Sequence, residues 1–395
     1  DDASVWLGLS AVEDNDEGVA AAWLGDVNND RMADLAVGLP GANDGAGRVY
    51  LLYGQPGGWA VPPDLQMLES FGTILEGQPG DKLGTYVSAA GDVDGDGFHD
   101  LLVAGDGTDT AYLIFGHAGL LGRQTLDGSS SSHYALLQTG ETLTAMGTAG
   151  DANDDGYDDL LLTSGGKARL LLGDGPPWGD PVDVDAQSSA VFAGVTGATG
   201  VGDVDGDLFD DFLVLGDGAV SLFMGHALHT ASATEALDHG DADASFATGD
   251  TAPRAVALGD VNGDDKGDFL YTDGDARKLV LSGDTPSVGK TFTGYDGFIA
   301  GPGKVDDDAY CDLLLGTSGG EARLVLGGET VGTAAEMTVQ GVAGAALAPY
   351  AAGADVNADG SSDLILIPTA SAASDRGMER ADYGEAARIS PDALP

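Results

Sequence analysis

The sequence predicts an all-β protein, a β-propeller closed from seven four-stranded antiparallel blades, on three observations. An aspartate-rich string recurs seven times along the 395 residues. Each copy is flanked by the same succession of short apolar runs, about as long as typical strands and bounded by Gly, Asp or Ser. None of these runs carries the 3.6-residue periodicity of a helix.

The string first reads Gly25-Asp26-Val27-Asn28-Asn29-Asp30, followed by Asp34-Leu35, and returns as Gly91-Asp92-Val93-Asp94-Gly95-Asp96-Gly97, followed by Asp100-Leu101. Further copies begin at Asp151, Asp203, Asp260 and Asp355, and a damaged one at Lys304. The intervals between first positions are 66, 59, 52, 57, 44 and 51 residues. Periods of roughly 40–50 residues with several strands each mark propellers. Seven such units use nearly the whole chain, so one domain replaces the two or three of roughly 100–200 residues that length alone would suggest.

The second unit shows the order of segments: strands over 85–90, 101–104, 111–115 and 133–138, with the acidic loop between the first two. Third strands are expected over 48–53, 167–172, 219–224, 277–281 and 321–326. The blades are expected near 18–77, 83–140, 141–194, 195–249, 250–294, 295–341 and 342–395. The seventh unit offers 347–352, 364–367 and 386–390 but no fourth strand, and 370–380 reads as a loose loop. A spare strand at 4–9 precedes the first loop and is expected to complete the last blade, which removes the open edges of the ring.

Composition narrows the partners. With 65 Asp plus Glu against 16 Lys plus Arg, the net charge is -49, which disfavours nucleic acid and anionic membranes. No apolar run approaches the ~18 residues needed to span a bilayer, so no direct membrane insertion is expected. The chain opens Asp1-Asp2 rather than Met, as a processed or cut polypeptide would. The single cysteine, Cys311, excludes an intrachain disulfide.

In the second loop Asp92, Asp94, Asp96 and Asp100 stand at positions 1, 3, 5 and 9, with Gly97 at position 6 and the Phe98 carbonyl available at position 7. Alternate residues of a tight loop can aim hard oxygens inward, and Ca²⁺ accepts 6–8 of them, whereas Mg²⁺ prefers smaller octahedral sites and keeps its waters. The same set recurs as Asp151, Asn153, Asp155, Tyr157 and Asp159, as Asp203, Asp205, Asp207, Phe209 and Asp211, and as Asp355, Asn357, Asp359 and Asp363. The first loop (Asp26, Asn28, Asp30, Asp34) has Arg31 where glycine is usual, and the fifth (Asp260, Asn262, Asp264, Asp268) has Asp265 there; both are still expected to bind. In the sixth, Lys304 stands beside Asp306, Asp308 and Asp312, and its ammonium is expected to replace the ion. A solvated turn is the competing reading of any one acidic loop. Six in phase with strands, each crowding like charges, read as cation cages. These cages account for only part of the acidity.

These residues resemble the FG-GAP repeats of the integrin α-subunit head and their bacterial relatives. Leu83-Gly84 ahead of the second loop is similar to the strand that precedes the cage of that repeat, Val37-Gly38-Leu39-Pro40-Gly41-Ala42 to its Gly-Ala-Pro segment, and Arg48-Val49-Tyr50-Leu51-Leu52-Tyr53-Gly54 to the strand that follows. The resemblance covers all seven units. It implies a seven-bladed propeller with calcium in the loops of one face and a role in adhesion or extracellular assembly. Most of the Phe-Gly pairs are lost and no αI or leg region is present, so a secreted bacterial or archaeal relative is expected rather than a receptor.

No catalytic constellation stands out. The six histidines show no HExxH spacing, and His226 with His229 reads as a solvated pair rather than a zinc site. Cys311 reads as packing, Trp6, Trp23, Trp59 and Trp178 as packing before sugar stacking, and the glycines over 194–202 lack the strand-then-helix context of a nucleotide loop. The leading expectation is a secreted or cell-surface calcium-stabilised scaffold or adhesion module that meets other proteins or surface glycans, alone or as a subunit of a larger extracellular assembly. A lectin-like binder comes second and a polysaccharide lyase or hydrolase third.

Overall fold

A computed structural model describes residues 20–56, 72–119, 122–128, 131–175, 178, 181–216, 218–225, 236–237, 239–283, 285–306, 308–333, 335, 337–340, 346–355, 357–358 and 360–369. Six sheets of four or five strands and one two-stranded pair succeed one another along the chain. Their first strands are Ala20–Gly25, Tyr86–Gly91, Leu143–Gly150, Gly197–Gly202, Ala255–Gly259, Ile299–Gly303 and Ala346–Ala354. Each first strand packs against the next, and Ala346–Ala354 returns to Ala20–Gly25, so the sheets form a ring around their first strands. The chain is a β-propeller. The strands expected at 4–9 and 386–390 and the loop at 370–380 lie outside the described residues.

The second strands explain why the ring holds. Asp34–Leu39, Asp100–Ala104, Asp159–Ser164, Asp211–Gly216 and Asp312–Gly316 are buried at every residue. A strand in the middle of a blade meets a neighbouring sheet on both faces, so it reads as a continuous Leu/Val run and not as an alternation. The core is accordingly layered between sheets. Leu24, Val49 and Leu51 of the first sheet meet Leu101, Val103 and Ile114 of the second. Between the third and fourth sheets Phe192 and Phe223 stack edge to face with centroids 4.7 Å apart.

The four-strand expectation needs one correction. The long connection between third and fourth strands in three units reaches back and adds a parallel strand to the outer edge of the preceding sheet. Gly122–Thr125 pairs with Gly72–Glu76, Val182–Asp183 with Tyr134–Gln138, and Ala236–Leu237 with Ala190–Ala193. The first three sheets therefore have five strands. Covering an outer edge in this way blocks strand-on-strand association.

Candidate metal centre

Each acidic loop joins the first strand of a sheet to its second, so all seven lie at the same end of their sheets. The carboxylates organise the loop by accepting from its own backbone. In the second loop Asp92 accepts from the backbone N–H of Asp96 (3.1 Å) and of Gly97 (2.9 Å), Asp94 accepts from Asp96 N–H (3.3 Å), and Asp96 accepts from Phe98 N–H (3.0 Å). The pattern repeats with Asp26, Asn28 and Asp30, with Asp151, Asn153, Asp155 and Tyr157, with Asp203, Asp205, Asp207 and Phe209, and with Asp260, Asn262 and Asp264. In the seventh loop Asp355 accepts from Gly360 N–H (2.8 Å) and Asn357 donates to Asp363 (3.5 Å), while Asp359 lies outside the described residues.

Position 6 takes a left-handed backbone in the first five loops and the seventh: Gly97 at φ 88°, Gly156 at 90° and Gly360 at 96°, but also Arg31 at 73°, Leu208 at 79° and Asp265 at 63°; Ala309 of the sixth loop is not among the left-handed residues. The fourth loop is thus not as regular as its carboxylates suggest. Leu208 occupies a strained position and stands 81 % exposed.

Position 9 does something the spacing does not reveal. Asp100 is fully buried; one oxygen accepts from Val93 N–H at 2.9 Å and the other from Gly116 N–H at 2.8 Å, so it ties its loop to the end of the third strand. Asp34, Asp159, Asp211, Asp268 and Asp312 repeat the arrangement. Burial drives these carboxyls up: Asp100 to about 8, Asp34, Asp159 and Asp211 to about 7, and Asp312 to about 6, with the backbone donors pulling the other way. A cation beside them would relieve that penalty.

The residue at position 3 divides the loops. With aspartate there, ligand oxygens of Asp92, Asp94 and Asp100 lie within 4.8 Å of one another, as do those of Asp203, Asp205 and Asp211. With asparagine in the first, third and fifth loops, the amide donates across to position 5: Asn28 to Asp30 (3.0 Å), Asn153 to Asp155 (2.8 Å) and Asn262 to Asp264 (3.2 Å). The second and fourth loops therefore gather three carboxylates toward one point, an all-oxygen donor set that suits a hard divalent cation.

In the sixth loop Lys304 is exposed, and it forms no ion pair with Asp306, Asp308 or Asp312 among the described residues. The expectation that its ammonium fills the cage is corrected: the loop's buried acid, Asp312, already accepts from two backbone N–H groups, and a long, strongly hydrated side chain then stays in water.

The loops are also linked to one another, which sequence spacing did not reveal. The backbone N–H at position 8 donates to the position 1 carbonyl of the preceding loop: His99 to Asp26 (3.0 Å), Asp158 to Asp92 (2.9 Å), Asp210 to Asp151 (3.0 Å), Gly267 to Asp203 (2.7 Å), Cys311 to Asp260 (2.7 Å), Ser362 to Lys304 (2.7 Å) and, closing the circle, Ala33 to Asp355 (3.2 Å). Side chains reinforce the link. Asp158 accepts from Asp92 N–H at 2.7 Å and Asp210 from Asp151 N–H at 3.0 Å, and burial raises both acids. This explains the glycine ahead of the first aspartate. A Cβ on Gly91, at φ +81°, would stand 2.1 Å from the Asp158 carboxylate. Where that residue is Ala354 instead, position 8 of the next loop is the small Ala33.

No protein-family model matches the chain. It is similar to rat phosphatidylinositol-glycan-specific phospholipase D (32 % identity over 162 residues, 37 % of this chain and 19 % of that protein). It is also similar to human integrin alpha-7 (35 % over 114 residues, 28 % and 9 %) and mouse integrin alpha-7 (40 % over 97 residues, 25 % and 8 %). The chain spans less than a fifth of the length of each. These are animal proteins and lend no support to the microbial origin expected from the sequence. Among solved structures it is similar to BBS1N in complex with ARL6DN (TM-score 0.45, 11 % identity, 86 % of each chain). It is similar too to an Agrocybe aegerita lectin that recognises non-reducing terminal N-acetylglucosamine (TM-score 0.48, 12 % identity, 88 % of this chain and 83 % of that one).

Proposed function

We propose that the chain is a secreted or cell-surface interaction module, a seven-bladed propeller of the FG-GAP type held by calcium, which meets other proteins at a cell surface or in an extracellular assembly. The observation that carries the calcium reading is the convergence of Asp92, Asp94 and Asp100, and of Asp203, Asp205 and Asp211, on single points. Partial similarity to integrin α chains supports the interaction role.

In this reading Asp26, Asn28, Asp30 and Asp34 hold one ion, and the corresponding residues of the second, third, fourth, fifth and seventh loops hold one each, with the position 7 carbonyls of Phe98, Tyr157 and Phe209 within each set. The sixth loop stays ion-free because Lys304 removes the first carboxylate. The bound ion neutralises crowded carboxylates; the chain's own residues set the loop shape and pass it to the next blade through the position 8 hydrogen bonds. Residues 4–9 complete the last blade. No helix among the described residues is long and apolar enough to cross a membrane.

The test has two arms. Native mass spectrometry after calcium loading should count six ions on the full chain, and zero would remove the metal reading. Binding of the calcium-loaded chain to arrays of extracellular proteins and of glycans should give protein hits that disappear in chelator; hits on glycans alone would replace the interaction module with a lectin.

A further inference from the structure

The second and fourth loops present the same donors, with aspartate at position 3 and three carboxylates drawn together, yet the following loop lays different side chains over each of them. The residue at position 7 of the third, fifth and sixth loops packs on the glycine at position 4 of the loop before it. A Cβ on Gly95 of the second loop would meet the Tyr157 ring at 2.5 Å, and one on Gly263 of the fifth would meet the Tyr310 ring at 2.6 Å. Over the fourth loop that place belongs to Lys266. Its Cε would stand 3.0 Å and its Nζ 3.3 Å from a Cβ on Gly206, and its ammonium donates to the Asp205 carbonyl. Lys266 is half-buried and forms no ion pair among the described residues.

Position 8 adds to the contrast. Over the second loop the Asp158 carboxylate accepts from Asp92 N–H at 2.7 Å, whereas the matching residue over the fourth is Gly267, which has no side chain. The fourth loop's own position 8, Asp210, turns to the third loop and accepts from Asp151 N–H at 3.0 Å, while its charge also bears on Asp203. The backbone around the first carboxylate is the same in both: Asp92 accepts from Gly97 N–H and Asp203 from Leu208 N–H, each at 2.9 Å. Two cages equal in donors therefore sit in unequal fields, an added acid beside the second and an acid with an ammonium beside the fourth. An ammonium there offsets the fourth-loop carboxylates while they hold no ion and opposes a divalent cation that enters.

We propose that Lys266 grades the two carboxylate-rich sites, so that the fourth loop takes calcium less tightly than the second and releases it first as the free ion falls. This grading rests on the calcium reading and deepens it, since the affinity of one site is set by a residue outside every donor set. The effect is that of a single ammonium some ångströms from a divalent ion in screened surroundings, about a threefold or larger change in affinity. A tyrosine in the same place, as over the second loop, carries no charge and leaves the ion unopposed.

The test uses the full chain, deuterated and ¹⁵N-labelled, loaded with calcium and stepped down through calcium buffers at neutral pH and low ionic strength. The position 6 amides of Gly97 and Leu208 report the second and fourth loops. The Leu208 amide should change at a free calcium concentration at least about threefold higher than the Gly97 amide, and raising the ionic strength should narrow that gap. Lys266→Met keeps the length of the side chain without its charge and should lower the Leu208 midpoint by about threefold or more while the Gly97 midpoint stays. Lys266→Arg keeps the charge and should keep the gap, and Lys266→Tyr, which places over the fourth loop the residue found over the second, should close it as Lys266→Met does. Coincident midpoints in the parent chain, or a gap that survives both neutral substitutions, overturn the role of Lys266 and leave the calcium reading standing. No calcium-dependent change at either amide overturns the calcium reading and the grading together.

Discussion

The second and sixth acidic loops share a backbone role but differ at the first acidic position, Asp92 against Lys304, and at position 6, where Gly97 is left-handed and Ala309 is not. Asp100 and Asp312 are both fully buried, and each ties its loop to the end of the third strand with two backbone donors. Asp92 and Lys304 both offer their carbonyl to position 8 of the next loop. Only Asp92, however, turns its side chain onto the backbone N–H groups of positions 5 and 6, whereas Lys304 pairs with none of the described acids of its loop. The loop therefore has two jobs that meet at position 9. Position 9 and the position 1 carbonyl build the ring, and in the second loop the side chains of positions 1 and 3 converge on the same position 9 carboxylate, a set of oxygens that could bind a metal.

Removing metal should break the comparison most visibly. If the crowded carboxylates of the intact loops depend on bound ions, excess EDTA should lower the melting temperature of the full chain by more than about 10 °C, since several sites that bind only the folded state are lost together. An unchanged melt would leave the second loop no different from the sixth.

Next in size is a pair of substitutions. Asp100→Asn and Asp312→Asn each place an NH₂ group against a buried backbone N–H, which should cost about 1–3 kcal/mol by leaving that donor unmatched. In calcium, Asp100→Asn should cost more than in EDTA, because it also weakens an ion site; Asp312→Asn should cost the same in both. Denaturant melts under the two conditions check this, and an equal calcium dependence for the two variants would show that the sixth loop binds after all.

The buried ninth-position carboxyls also make acidity a probe. Their folded values, about 6 for Asp312 and about 7 to 8 for Asp34, Asp100, Asp159 and Asp211, lie above the ordinary carboxylate range because burial disfavours the charge. The folded chain then holds protons that the unfolded chain sheds between about pH 4 and pH 8, so metal-free stability should fall as pH rises through that window and level off above it. Calcium should flatten the slope over the intact loops and leave only the portion due to Asp312. Stability that rises with pH in EDTA would contradict the assignment.

What could be read from sequence follows a physical division. Asp92, Asp94, Asp96 and Asp100 were legible because a local spacing, repeated in phase with strands, fixes both the loop and its donors. The buried second strands were legible as apolar runs. Gly122–Thr125 was not: it reads Gly-Arg-Gln-Thr, largely exposed, and gains its strand character only from the edge of the preceding sheet. Asp158 and Asp210 stood beside counted ligands, yet their partners belong to the neighbouring loop, which no spacing within one repeat can show. Nor does composition tell an exposed Lys304 from one folded into its cage. That depends on the balance between hydration of an ammonium and the attraction of acids that are themselves solvated.

The smallest effect is the sharpest for the comparison. Lys304→Asp restores a carboxylate at position 1 of the sixth loop, where Asp306 and Asp308 already accept from the backbone at 3.1 and 2.8 Å and Asp312 is in place. Because Lys304 is exposed and unpaired, its removal should lose no structural contact, and the new side chain can take the N–H groups that Asp92 takes in the second loop. Native mass spectrometry should then count one more calcium than for the parent chain, with a rise in melting temperature of only a few degrees, as one added site contributes by its occupancy alone. Aspartate at position 3, as in the second and fourth loops, favours this outcome, since no asparagine amide is present to occupy the position 5 carboxylate. An unchanged ion count would mean that the backbone of the sixth loop, and not its first side chain, bars an ion.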